Sequence, residues 1–170
     1  FGQLPSGYDH KYVYSHWGYN LKVTDMQAAV GLAQLEKFPS FIDRRRNNWN
    51  RLYNALESVK DKIILPAAAM NSEPSWFGFL ISVKPESGIR RNDVTRYIED
   101  HNIQTRLLFS GNIIKHPCFA QMRENEDYRV VGKLDETDYI MDNTFWVGVY
   151  PGMTDKMIDY MASVIIEALN

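Results

Sequence analysis

Residues 18–38, GYNLKVTDMQAAVGLAQLEKF, decide how this chain is read. They join a polar loop to a segment that is apolar on nearly every side of a helix. Thr24 with Gln27 three positions later forms a capping-box pattern, in which side chains and backbone exchange two hydrogen bonds at a helix start. Met26, Ala28, Ala29, Val30, Leu32, Ala33 and Leu35 then leave almost no polar face. A helix of that kind belongs in a large core or at a subunit contact, so the stretch points to a larger assembly. Gly31 costs roughly 1 kcal/mol of helix propensity against alanine, which close approach of another backbone would offset. Pro39 is expected to break this helix and to sit in the first turn of the next, where its missing N–H is tolerated.

That next helix, over residues 39–57, has an ordinary amphipathic pattern. Phe41, Ile42, Arg45, Trp49, Leu52, Tyr53 and Leu56 fall on one stripe, and Asp43, Arg44, Arg46, Asn47, Asn50 and Arg51 face away. The basic triplet 44–46 is expected to be a solvated surface. Strands follow at 63–65 and 76–83, the second after the turn formers Asn71, Ser72 and Pro74. IRRNDVTRYIEDHNI reads as a helix with Val94, Tyr97 and Ile98 inward. Residues 104–109 read as a strand or extended segment, 110–129 as loop with short helical turns around Pro117, 135–141 as a short helix and 144–149 as a strand. Thr154 caps a terminal helix whose Met157, Ile158, Met161, Val164, Ile165, Ala168 and Leu169 form an apolar stripe. The order β, α, β, α, β, α implies an α/β (α+β) domain: a small sheet with helices packed mainly on one face.

Composition bounds the rest. The chain has 170 residues, 45% of them hydrophobic and 13% aromatic, ample for a packed core. Nineteen basic against 21 acidic residues leave a net charge of −2, without the basic excess of a nucleic-acid-binding face. The single cysteine, Cys118, precludes a disulfide framework and fits a reducing compartment. Apolar runs fall short of the roughly 18 residues that span a bilayer, and no secretory leader pattern is present. The sequence reads as soluble and cytoplasmic. It begins at Phe1 with what reads as an extended arm, so a truncated piece of a longer polypeptide is expected.

Self-contained catalytic patterns are missing: no glycine-rich phosphate loop, no HExxH, no G-x-S-x-G elbow. His10, His16, His101 and His116 lack metal-ligand spacing with each other or with Cys118, so structural or surface roles are the better reading. Cys118, between Pro117 and Phe119, reads as an inert thiol. Three segments look more like binding than packing. Tyr19-Asn20 places an amide before the apolar helix, fit for a phosphate or for stabilising a turn. Ser75-Trp76-Phe77-Gly78-Phe79 opens a strand with aromatics; core packing accounts for Trp76 or Phe79, while the glycine leaves room for a planar ring. Residues 105–112, TRLLFSGN, place the Arg106 fork and the Asn112 amide around a loop, an arrangement suited to carboxylate or phosphate. A surface salt bridge would explain Arg106 nearly as well.

Together, GYNLKVTDMQAAVGLAQLEKF, SWFGFLISV, TRLLFSGN and YPGMTDKMIDYMASVI resemble, in order, the carboxy-terminal part of the nucleotide-sugar aminotransferase family. These are fold-type I enzymes that use pyridoxal phosphate. Within the family, GYDHKYVYSHWGYNLK, PSWFGF, TRLLFSGN, YRVVG and FWVGVYPG look most like the CDP-4-keto-6-deoxyglucose 3-dehydrases of lipopolysaccharide biosynthesis. Aminotransferases of the family usually carry a histidine after the aromatic residue; Phe77 stands there instead and favours the dehydrase branch.

The resemblance implies the small C-terminal domain of a fold-type I transferase over residues 38–170. Residues 1–37 would be an arm and a helix at the interdomain and dimer contact. It implies pyridoxamine 5'-phosphate or pyridoxal 5'-phosphate as cofactor, a 2Fe-2S cluster fed by a reductase partner, a homodimer, and a CDP-linked 4-keto-6-deoxy sugar that loses its 3-hydroxyl. Asn20 would reach the cofactor phosphate of the neighbouring subunit. Trp76, Phe77, Arg106 and Asn112 would line the substrate side. Catalytic and cluster-binding residues, and any metal ligands, are expected upstream of Phe1, so this stretch by itself is expected to be inactive. The alternatives are a sugar aminotransferase of the same family and, from another class, a non-catalytic α/β binding or oligomerisation module.

Overall fold

The computed structural model describes residues 4–7, 9, 11, 13, 14, 16–19 and 21–170. The chain divides into two units, Phe1–Phe38 and Pro39–Asn170.

In the first unit the capping box forms. Thr24 donates its backbone N–H to Gln27 Oε1 at 3.0 Å, and Gln27 returns its own N–H to Thr24 Oγ1 at 3.4 Å. The helix that starts there, α1 (Asp25–Leu56), runs unbroken through Pro39. This corrects the expected break. A proline inside a helix removes one backbone hydrogen bond and costs roughly 3 kcal/mol. Here the cost is carried by a helix of 32 residues, with more than three turns on either side of the proline. Before Pro39, Met26, Val30, Leu32, Leu35 and Phe38 are all exposed.

The second unit is a four-stranded antiparallel sheet with helices on it. Its elements are β1 (Ile63–Ile64), β2 (Gly78–Val83), α2 (Arg91–Asp100), β3 (Thr105–Leu107), α3 (Asp135–Asn143), β4 (Thr144–Gly148) and α4 (Asp155–Ala168). The strand order is β1-β2-β4-β3. Residues directly opposite in an antiparallel pair share a face. Phe79 faces Val147 and Ile81 faces Phe145 across β2 and β4, and these four are fully buried. They join Leu52 and Leu56 of α1, Val94 and Ile98 of α2, and Ile158 and Ile165 of α4 in one core. The sequence-read helices thus pack mainly on one face of a small sheet, as the alternation of apolar residues requires.

The other face is built from the alternate residues. Gly78 pairs with Gly148, Leu80 with Trp146, and Arg106 of β3 also lies opposite Trp146. This second face carries the Trp146 indole and the Arg106 guanidinium.

Two further expectations are corrected. The triplet 44–46 is half-buried, not solvated, and Arg44 and Arg46 are tied down. Arg44 donates to the Met153 carbonyl and to Asp155, both at 2.9 Å, and Arg46 donates to the Glu73 carbonyl at 2.9 Å. Arg51 forms a side-on pair with Asp159, with contacts of 2.6 and 2.8 Å, so the basic face of α1 clips α4 in place. Tyr97 does not point inward: it sits at the surface, stacked on His101 at 4.2 Å, with its hydroxyl donated to Glu167.

Candidate functional site

Turn residues before β2 set up the site. Residues 74–77 lead an aromatic run into the strand, and the Phe77 carbonyl accepts the Val149 N–H at 2.8 Å, which extends the β2–β4 ladder by one rung. Trp76 falls inward. Its indole stacks on Trp49 at 4.6 Å with planes 8° apart, and Trp49 in turn stacks on Tyr53. Phe77 falls outward, 61% exposed, and meets Trp146 edge-on at 5.3 Å.

Gly78 explains how Trp146 fits. A Cβ built at Gly78 would lie 2.8 Å from Trp146 Cε3. The room anticipated for a planar ring beside this glycine is therefore filled by the protein's own indole. Trp146 is the wall residue that the sequence reading did not single out. Its signal lay in the FWVGV alternation, which puts position 146 on the face opposite Phe145 and Val147.

Trp76, Phe77, Leu80, Leu108, Phe109 and Trp146 enclose a groove of about 340 Å³. Pro74, Ser75 and Gly78 complete it, so Ser75 supplies the one side-chain hydroxyl among its lining residues. On the other side of Trp146 lies a second depression of about 530 Å³ that includes Gln104, Arg106, Tyr150 and Tyr160. Trp146 lines both. Arg106 is exposed and makes no hydrogen bond or ion pair among the described residues, so the salt-bridge explanation for it is not met. An unpartnered guanidinium offers five donors in a fixed fork and suits a phosphate or carboxylate.

The loop after β3 is held from behind. Asn112 is 3% exposed, and its Nδ2 donates to Asp138 Oδ1 at 2.7 Å. Its amide is thus committed to α3 and does not line the groove. Lys115 Nζ reaches the same Asp138 oxygen at 2.8 Å. The Asn112 hydrogen bond and then the Lys115 contact hold the Asp138 carboxyl below its ordinary range. Asn20 lies outside the described residues.

The groove supplies rings, one hydroxyl and, beyond Trp146, a free guanidinium. That set suits the rim of a site that receives an anionic substrate with an apolar edge, and it contains no group placed to hold a pyridine ring. Among the described residues no cluster of three or more histidine, cysteine, aspartate or glutamate side chains could hold a metal ion. One cysteine cannot supply the thiolates of an iron–sulfur cluster. Among the described residues no helix is long and apolar enough to cross a membrane.

Comparison with known proteins places the geometry in context. The chain is 51% identical over 166 residues to the lipopolysaccharide biosynthesis protein RfbH of Salmonella typhimurium, covering 98% of this chain and 37% of that protein. It is also 51% identical to the dTDP-4-dehydro-2,6-dideoxy-D-glucose 3-dehydratase of Saccharopolyspora spinosa, covering 98% and 35%. Among solved structures, the Escherichia coli GDP-4-keto-6-deoxy-D-mannose-3-dehydratase with bound hydrated PLP superposes with a TM-score of 0.75 at 26% identity, over 94% of this chain and 40% of that one. The chain thus spans little more than a third of the length of the curated relatives it matches. The family model described as DegT/DnrJ/EryC1/StrS aminotransferase matches residues 2–166. With that match and those relatives, the chain belongs to the DegT/DnrJ/EryC1/StrS aminotransferase family.

Proposed function

We propose that this chain is the C-terminal part of a nucleotide-sugar 3-dehydrase that uses pyridoxamine or pyridoxal phosphate. Its substrate is a CDP-linked 4-keto-6-deoxyhexose, which loses the 3-hydroxyl on the way to a 3,6-dideoxy sugar of lipopolysaccharide O-antigen. The observation that carries the reading is the 51% identity to a protein named as a 3-dehydratase over nearly the whole of this chain. An exposed Phe77 on the groove, where the resemblance leads one to expect a histidine in aminotransferases, supports the dehydrase over the aminotransferase branch.

The chemistry supplied by the cofactor, when bound, is an amine for the sugar's 4-keto carbon and an electron sink for loss of the 3-hydroxyl. This chain's residues do the binding. Phe77, Phe109 and Trp146 keep water from one edge of the substrate, and burying apolar surface there contributes roughly 25 cal/mol per Å². Arg106 neutralises the diphosphate. Asn20 belongs to the partner subunit's cofactor phosphate in a homodimer. The 2Fe-2S cluster and its reductase belong to the complete enzyme in the cytoplasm, and no step is assigned to them within this stretch.

The test uses the full-length enzyme, loaded with pyridoxamine phosphate and given CDP-4-keto-6-deoxyglucose with a reductant. Loss of the 3-hydroxyl, followed by mass spectrometry, supports the reading. Transfer of an amino group to carbon 4 with no loss of the 3-hydroxyl would move the protein to the aminotransferase branch. No binding of any nucleotide sugar would leave the non-catalytic module standing.

A further inference from the structure

The apolar groove owes one wall to Phe109, and Phe109 is held in an unusual way. It is 80% exposed and sits at φ 48°, the left-handed region that a bulky side chain rarely enters. Its N–H is donated to the Leu107 carbonyl at 2.8 Å, closing a three-residue turn. Such a conformation persists only where the surroundings over-determine it, and it clusters at ligand-binding sites. What over-determines it is visible two and three residues further on.

Gly111 is also left-handed, at φ 57°, and a Cβ there would lie 2.7 Å from Met141 Cγ. Asn112 donates its backbone N–H to Met141 Sδ at 3.4 Å and its side-chain amide to Asp138 at 2.7 Å. His116 Nε2 lies 2.7 Å from the Ser110 carbonyl oxygen. Met141 and Asp138 both belong to α3, one helical turn apart, so α3 grips the turn through packing and through charge. Asp138 stands in the first turn of α3, where the helix dipole favours a carboxylate.

We propose that Asp138 is a positioning residue for the groove: through the buried Asn112 it holds the turn 108–112 so that Phe109 closes one wall. Asp138 touches neither groove nor substrate; it acts through Asn112. The consequence for binding rests on the reading of the groove as a sugar site, while the clamp itself does not.

The experiment uses the full-length enzyme and the variants Asp138→Ala and Asp138→Asn. The Ala variant removes both acceptors; the Asn variant keeps an oxygen for Asn112 and loses only the charge. Two quantities are read: amide hydrogen exchange along the chain, and KM against kcat for CDP-4-keto-6-deoxyglucose. Asp138→Ala is expected to raise exchange at 108–112 and KM by about tenfold or more, the scale of a lost charge-assisted hydrogen bond, with kcat and exchange in α4 little changed. Asp138→Asn is expected to recover most of both. Unchanged exchange at 108–112, or exchange that rises equally in α4, overturns the clamp. Loosened exchange with an unchanged KM overturns its link to binding. If the wild-type enzyme turns over no nucleotide sugar, the dehydrase reading falls, and the exchange arm still decides the clamp.

Discussion

The indole of Trp146 occupies the space that a side chain at Gly78 would need, with 2.8 Å between a Cβ built on Gly78 and Trp146 Cε3. That ring also meets Phe77 and borders both depressions on the open face of the sheet. One absent methyl group thus fixes the wall between them.

Gly78→Ala should force the rigid indole off the strand. Overpacking of this kind costs about 1–3 kcal/mol. Urea denaturation should show the loss, and near-ultraviolet circular dichroism should show the displaced ring. A variant with both signals unchanged would mean that Trp146 is free to tilt.

Asn48 is 1% exposed and donates Nδ2 to the Tyr150 carbonyl at 3.0 Å, joining α1 to the segment between β4 and α4. Asn48→Ala removes that link while the Tyr150 carbonyl keeps the Met153 N–H at 3.2 Å, so the loss should be that of one ordinary hydrogen bond, about 0.5–1.5 kcal/mol. Asn47→Ala, on the exposed neighbouring position, should change little, and the pair compared by thermal melting isolates the buried amide.

Acid should weaken two clips before it weakens the core. Asp159 lies below its ordinary carboxylate range chiefly through its hydrogen bond from Arg51, and Asp138 through those from Asn112 and Lys115. A depressed carboxyl contributes stability above its unfolded value, and that contribution is lost as pH falls through the folded one. Arg51 and Lys115 are raised, so their share is intact at neutral pH and fades only at strongly alkaline pH. Stability should therefore be flat around neutrality and fall below about pH 4. Asp159→Asn should flatten part of the acid limb; an identical limb in that variant would assign the loss elsewhere.

Arg106 separates binding from folding. It is exposed and has no partner among the described residues, so Arg106→Met should leave the melting temperature within experimental error. In the full-length enzyme the same variant should raise KM for the nucleotide sugar by about tenfold or more, since hydrogen bonds to charged groups are the strong ones. Arg106→Lys should recover only part, because an ammonium lacks the planar fork.

The apolar half of α1 has no cover among the described residues of its own unit. Met26, Val30, Leu32, Leu35 and Phe38 are exposed, a patch of the kind that marks an interaction surface. This chain by itself should associate as its concentration rises, and Leu32→Lys with Leu35→Lys should suppress that in sedimentation velocity. Association untouched by the double variant would place the contact elsewhere.

Much of this was legible in the residues themselves. The capping box at Thr24 and Gln27, the stripe of α4 and the four strands follow from local pattern, since side-chain period and cap chemistry act within a few residues. Local pattern misled at Pro39, because a proline signal says what a helix break saves and not what a long flanking helix can absorb. It misled at Arg44 and Arg46, which look solvated until α4 and the segment before β2 arrive beside them. The site divided in the same way. Phe77 and Arg106 could be named from the motifs that hold them, and Asn112 could be named but not placed. Trp146, the left-handed Phe109 and the Asp138 clamp came only with the tertiary structure. Each depends on atoms far apart in the chain: a ring on β4 lying where β2 lacks a Cβ, a loop gripped by a helix more than twenty residues away. Sequence determined the elements and their buried faces; packing across the sheet alone decided which side chains meet.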